Sequence, residues 1–374
     1  MQDNYAERLH TPKFLLLSSL APVEEVLVVQ NPRTQPFVEA LERIVPLTGA
    51  KLSPIPFDTV RYDVWMQDSV EIGQTCVISD GELKQELTVL SGLRAKHEPS
   101  NPIHSALDSC VRDYFVNRKA QVVDAGEARE GSRWMDWFGN LEVSPPLLDA
   151  QGQSYPFGRA LVGVQKGVTM HPGVLQFLEA QGLQVPPVFV DTSWLVIGHV
   201  DEVVNFVPSA GACGFKVLLP SPRLALDILV EVTHGENAEQ FAFAGRKSQR
   251  TLRQLRDEVA LSAENRDIET AVQDTRQQLM DTLGITAFDF VEIPVLFQDG
   301  ISLVPNGVNS LVCNNHIIVP HPNVFEVNGE DCFARSIRQR LEPLGLTVHF
   351  VDIWDSYHVS LGEVHCGTNA IRKL

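Results

Sequence analysis

The 374-residue chain has no apolar run long enough to matter for a membrane. Phe14-Leu15-Leu16-Leu17 is far short of the roughly 20 residues a spanning helix needs, and the acidic, His-containing residues before it make a poor secretory leader. Paired cysteines are also missing. Cys76, Cys110, Cys213, Cys313, Cys332 and Cys366 are scattered without a CxxC pair or ligand-like spacing, which argues against a disulfide framework or a zinc site. Positive charge is scarce: 30 Lys and Arg face 47 Asp and Glu, for a formal net charge of -17. That is the wrong sign for neutralising phosphates, so nucleic acid is not an expected partner, whereas cationic partners are favoured. No Gly/Ser-rich or charged linker interrupts the chain, and one domain over residues 1–374 is expected. Unpaired cysteines and the lack of a leader point to a reducing, cytoplasmic setting, where a free thiol survives.

What is there alternates between strand and helix. Residues 25 to 30 form a β-rich run, and Phe37, Val38, Leu41, Ile44 and Val45 then fall at helical spacing before Pro46. Trp65 to Ile78 reads in strand fashion, and the polar residues 79 to 105 read as a surface excursion. Strands are expected near Val122-Val123, Leu161 to Val164, Val188 to Val190, Trp194 to Val207, and 215 to 220. A helix over 174 to 182 ends on Gly182, and a pair of helices fills 246 to 283. Further strands follow at Phe290, Ser310, Ile317 and Thr347, with a helix from Asp331 to Leu341 before the last of them. Alternation of this kind over the whole length defines an α/β architecture.

Chemistry concentrates at three places. Gly362-Glu363-Val364-His365-Cys366-Gly367-Thr368-Asn369 sets one cysteine in a tail with two glycines, and a thiol held as thiolate is the strongest side-chain nucleophile near neutral pH. His199-Val200-Asp201 has i, i+2 spacing, so on an extended strand an imidazole and a carboxylate leave one face together. Trp65-Met66-Gln67-Asp68 sets an aromatic wall beside another acid. One aromatic face and two carboxylates suit a planar cation such as guanidinium, whose N–H donors pair with acids in a fork. Each group alone also has an ordinary structural reading: a small buried thiol, a His-Asp pair capping a loop, a core tryptophan.

Arg61 to Gln74, Phe138-Gly139-Asn140-Leu141-Glu142-Val143-Ser144-Pro145-Pro146, Val196 to Pro208 and Gly362 to Asn369 together resemble the catalytic domain of the protein-arginine deiminases. The resemblance implies the pentein fold, a five-bladed α/β propeller with its active site in the central channel. It implies hydrolysis of peptidyl-arginine to citrulline and ammonia, with arginine-containing proteins or peptides as substrates. Cys366 matches the nucleophile, His199 the general acid and base, Asp68 and Asp201 the guanidinium-binding acids, and Trp65 the wall along the arginine side chain. Calcium is implied as cofactor, held by Gln67, Glu71 and Glu142 with the carbonyls of Phe138 and Leu141; oxygen donors of that kind suit a hard cation. Arg94 is the nearest counterpart of an arginine that contacts the substrate backbone.

Two departures stand out. Ser69 replaces an acid, and Val89-Leu90-Ser91-Gly92 replaces an Asp/Ser-rich calcium segment, so at least one other of the family's calcium sites is not expected, and the number of sites stays open. The animal enzymes carry immunoglobulin-like domains before the catalytic one; none are expected here, and contacts that use them are not assumed. Rival readings are a pentein acting on a free guanidine compound, a catalytically silent calcium-responsive module, and a cysteine protease. Oligomeric state and physiological targets stay open.

Overall fold

The structure, a computed structural model, describes residues 9–57, 63–92, 103–126 and 134–374, with the backbone alone at 103–105 and 236. Arg94 lies outside the described residues. Lys13–Leu16 forms β1, and Val23–Gln30 forms β2, whose Val26 to Val29 are fully buried. The helix α1, Gln35–Ile44, carries Pro36 in its first turn, where a missing N–H costs nothing, and buries Phe37, Val38, Ala40 and Leu41. It leads to β3, Lys51–Pro56, parallel to β2.

The same device recurs. In the second unit β4 (Val70–Ser79) pairs antiparallel with β5 (Glu82–Ser91), and α2 (Ile103–Asn117) crosses to β6 (Gln121–Val123), parallel to β5; β1 adds to the free edge of β4. In the third, β7 (Leu141–Val143) pairs antiparallel with β8 (Ala160–Val164), which α3 (Pro172–Gln181) connects to its parallel neighbour β9 (Val188–Asp191). In the fourth, β10 (Asn205–Pro208) precedes β11 (Phe215–Ser221), and α4 (Pro222–Val232) and α5 (Ala263–Leu283) intervene before β12 (Phe290–Pro294). In the fifth, β13 (Leu311–Cys313) and β14 (His316–Pro320) are followed by α6 (Cys332–Leu341) and β15 (Thr347–Val351). The last strand, β16 (Thr368–Arg372), returns to pair antiparallel with β2 and completes the first unit. Five ββαβ units therefore follow one another, and the chain's two ends share one sheet.

Local chemistry fixes the crossovers. Ser221 and Ser262 accept a backbone N–H at the start of α4 and α5, and Gly182 and Gly284 close α3 and α5 in the left-handed conformation. Asp331 caps α6 through Phe333 and Ala334 N–H, while its other oxygen takes Val324 and Phe325 N–H. The helices expected near 174–182 and 331–341 are present, and the 246–283 stretch holds two short turns and then α5.

Three expectations need correction. Residues 82–91 are a full strand, because β5 buries Val89 and Leu90 at one end while its polar half pairs with the exposed end of β4. Trp65 to Ile78 is one strand only from Val70, since Met66–Ser69 makes a helical turn first. His199-Val200-Asp201 is not extended either: Val200–Glu202 is a 3-10 turn with His199 as its cap. Among the described residues no helix is long and apolar enough to cross a membrane.

Candidate active site

In each unit the turn just before the leading strand points to one centre. Asp68 precedes β4, Gly139 and Asn140 precede β7, His199 and Asp201 precede β10, Asn306 and Asn309 precede β13, and Cys366 precedes β16. Short helical turns hold the first three, so each side chain is aimed by a rigid bend.

Gly139 lies at the heart of this convergence. A Cβ there would come within 2.5 Å of His199 Nδ1, 2.9 Å of Asp68 Oδ1 and 3.2 Å of Asp201 Oδ2. Only glycine lets the backbone pass between an imidazole and two acids at that range. Its N–H donates to Asp68 Oδ1 at 3.1 Å, and His199 Nδ1 lies 3.5 Å from the same oxygen. The other ring nitrogen, Nε2, is 2.8 Å from the Trp134 carbonyl, so it carries the proton and leaves Nδ1 facing the acid. Asn140 makes four bonds, to Met135 and Gly163 carbonyls and from Gly163 and Val200 N–H, locking the His199 turn to its neighbour.

Cys366 is buried, with its sulfur 3.6 Å from Asp201 Oδ2. Asn309 grips it twice: Nδ2–H donates to the sulfur at 3.2 Å, and Oδ1 accepts the Cys366 N–H at 3.2 Å. Burial, then the charges of Asp201 and Asp68, push the thiol well above its ordinary range. A neutral thiol at the centre follows. The other oxygen of Asp201, Oδ1, is buried with no hydrogen-bond partner among the described residues. An orphan carboxylate oxygen beside a sulfur is a socket for a donor that arrives from outside.

The glycines of the tail act through close approach. Gly362 lies against the Trp65 indole and Gly367 against the Tyr357 ring, where a Cβ would sit 2.3 and 2.5 Å from ring carbons. Trp65 in turn packs 5.8 Å from Tyr357, centroid to centroid, which orients the wall.

The proposed calcium ligands form an adjoining group. Gln67 Nε2 donates to Glu71 at 3.0 Å and stands 3.5 Å from the Phe138 carbonyl. Burial and then the charge of Glu142 raise Glu71 well above the carboxylate range, and burial pushes Glu142 up to about 7. Two largely enclosed acids, Glu71 raised by burial and the charge of Glu142, and Glu142 by burial and the charge of Asp201, together with neutral oxygens, fit a hard cation in charge and donor type. Among the described residues no three His, Cys, Asp or Glu side chains are gathered as metal ligands, so the fit rests on carbonyl and amide oxygens as much as on acids.

Two participants escaped the sequence reading. His365 Nδ1 bonds Asp201 Oδ2 at 2.9 Å while Nε2 reaches Glu142 at 3.4 Å, tying the cation group to the thiol's neighbour. Burial alone would lower its pKa, but Glu142 and Asp201 raise it. Asn309, the fifth unit's contribution, is the other. Its sequence signal was positional: like Asp68 and Cys366, it stands two residues before a leading strand.

Five sheets of one design whose leading turns meet at one centre define the pentein class of α/β folds. Solved structures agree: the C. jejuni agmatine deiminase aligns at TM-score 0.52 and 12% identity, covering 97% of each chain. The agmatine deiminase of Enterococcus faecalis gives 0.53 and 13%, covering 96% of each. A family model for protein-arginine deiminase (PAD) matches residues 8–374, and the chain belongs to that family. Protein-arginine deiminase type-4 of Rattus norvegicus is 32% identical over 380 residues, covering 96% of this chain and 54% of the relative. Type-4 of Homo sapiens is 31% identical over 377 residues, with the same coverage. The chain spans about half the length of the curated relatives it matches.

Proposed function

We propose that the protein hydrolyses peptidyl-arginine to peptidyl-citrulline and ammonia. The observation that carries the reading is the meeting of Asp68, His199 and Asp201 around Gly139, with the Cys366 sulfur 3.6 Å from Asp201 Oδ2 and Asp201 Oδ1 unpartnered among the described residues. That all five units supply the centre supports treating the chain as one catalytic unit.

Asp68 and Asp201 take the guanidinium N–H groups, and Trp65 lies along the arginine stem. Arrival of the cation reverses the field that keeps Cys366 protonated, so the thiol loses its proton when substrate is in place. The neighbouring Asp201 Oδ2 is the nearest acceptor for that proton, and the Asn309 N–H steadies the sulfur. The thiolate attacks the guanidinium carbon to give a tetrahedral adduct. His199, entering this step as the imidazolium with a second proton on Nδ1, gives that proton to one nitrogen, the C–N bond breaks, and ammonia leaves an S-linked thiouronium. His199, now the base, takes a proton from water, which attacks the same carbon; collapse breaks the C–S bond and restores the thiol with citrulline.

Gln67, Glu71, Glu142 and the carbonyls of Phe138 and Leu141 would hold calcium, which supplies positive charge among these acids. Through His365, the Glu142 carboxylate is one side chain removed from Asp201, so filling that group bears on how Asp201 is held.

The fold is shared with agmatine deiminases, so a free guanidine compound is the second reading. Citrulline-type product should form from an N-acylated arginine amide or arginyl peptide, and faster in calcium than in chelator. Preference for agmatine or free arginine would move the substrate; an equal rate in chelator would remove the cation and keep the chemistry.

A further inference from the structure

A cleft reaches Cys366 by way of residues that, Asn309 apart, the mechanism does not use. Glu202, Asn306, Asn309, His358 and Glu363 line it with the cysteine, and its empty volume is about 370 Å³ with open solvent included. Trp65, Asp68, His199 and Asp201 are not among its lining residues. It is narrow, with room for a body about the size of a water molecule. Ile301, Ser302, His358 and Leu361 also line a surface hollow of about 780 Å³, so the cleft leads outward there.

The walls are built. Glu202 Oε1 accepts the Gly198 and His199 N–H groups at 3.1 and 3.0 Å. Glu363 Oε1 accepts Asn306 N–H at 3.1 Å and faces His358 Nδ1 at 2.8 Å. Asn306 Nδ2 donates to the Glu202 carbonyl at 2.8 Å, so one asparagine holds both acidic segments in register. Glu363 Oε2 is buried and has no partner among the described residues. Burial and then the charge of Asp201 push Glu202 up to about 8, as expected where negative charge lacks a counter-charge.

We propose that this cleft is a binding site for ammonium, the small nitrogen cation released at the sulfur. The inference rests on the deiminase reading. Ammonium is the size of a water molecule and carries four N–H donors, which an orphan carboxylate oxygen and amide oxygens can accept. Hydrolysis turns guanidinium and water into a urea group and ammonium with charge conserved. The peptide is still bonded to Cys366 when the nitrogen departs, so a separate acidic passage gives that nitrogen a way out.

The test is alkylation of Cys366 by iodoacetamide, followed by intact mass, in ammonium chloride against sodium chloride at equal ionic strength. Ammonium, by favouring the thiolate, should speed alkylation in the wild-type protein, methylammonium less and tetramethylammonium not at all. In Glu363→Gln the ammonium concentration needed for that acceleration should rise about tenfold, as for loss of a charge-assisted hydrogen bond. Equal alkylation in both salts, or the same ammonium response in Glu363→Gln, overturns the site. Because alkylation needs no turnover, absence of citrulline from every guanidine substrate would instead sink the deiminase reading.

Discussion

Glu25 and Glu202 are carboxylates drawn out of water in two regions of one molecule, with opposite fates. Glu25, on β2, takes both Arg118 nitrogens, Ser53 Oγ and Tyr114 OH. Burial would raise its pKa, but the hydrogen bonds of Arg118, Ser53 and Tyr114 hold it down at about 2. Glu202, at the centre, has only backbone N–H partners and a like-charged neighbour, and stands at about 8. Where the end of α2 must be clasped to the first unit's sheet, the chain supplies its own cation. At the centre it withholds one, and the unspent negative field becomes available to a ligand.

The largest expected contrast sets Cys366→Ala against the clasp. Removing the nucleophile should cut turnover by about 10⁴-fold or more and leave the denaturation midpoint close to wild type. Steady-state citrulline formation and chemical denaturation check the two halves, and a variant with appreciable turnover would dissolve the assigned chemistry. Gly139→Ala should come next. A methyl group 2.5 Å from His199 Nδ1 must displace imidazole or acid, and a misplacement of about 1 Å costs about 10²-fold in rate. Retained activity in that variant would mean the three side chains do not act as a unit.

Much of this contrast was legible in the sequence. Cys366, His199, Asp201, Asp68 and Trp65 were found from residue type and neighbours, because nucleophiles, acids beside imidazoles and aromatic walls are rare enough to signal. The alternation of strand and helix was also readable, since hydrophobic period survives in a single sequence. The five-fold repetition was not, because it lives in hydrogen-bonded order rather than in repeated residues. His199 and Asp201 were set on a strand, and the structure makes a turn there: Glu202 accepts its own cap's N–H groups, a local bond that apolar neighbours mask. Asn309 and His365 were unreadable for another reason. An amide that grips a sulfur and an imidazole between two acids are defined by partners 57 and 164 positions away.

The clasp should fail in the opposite manner to the centre. Arg118→Ala leaves Glu25 buried with only the Ser53 and Tyr114 hydroxyls and the exposed Lys51 as partners, and with the guanidinium partly in water the loss should be about 2 kcal/mol of stability. Specific activity of the folded fraction should stay within twofold, because nothing in the clasp touches the central turns. A chevron or urea melt alongside the citrulline assay separates the two, and a variant that lost activity while keeping its midpoint would erase the division between regions.

The finest effect is in the slope of stability with pH. Glu25 ionises more readily folded than unfolded, so its contribution is whole above the ordinary carboxylate value of 4.5 and is lost as pH falls toward 2. Glu202 runs the other way: folded, it keeps its proton up to about 8, so its contribution is whole below 4.5 and is lost as pH rises through that value. Glu25→Gln should therefore flatten the acid limb of a midpoint-against-pH curve, and Glu202→Gln the limb between about 4.5 and 8, each leaving the other untouched. Ammonium or a guanidinium compound at the centre should flatten the second limb in the wild-type protein too, since a bound cation favours the ionised acid that the empty centre disfavours. If the neutral limb is already flat without ligand, the acids at the centre are compensated from within, and the field credited with drawing in the cation is not there.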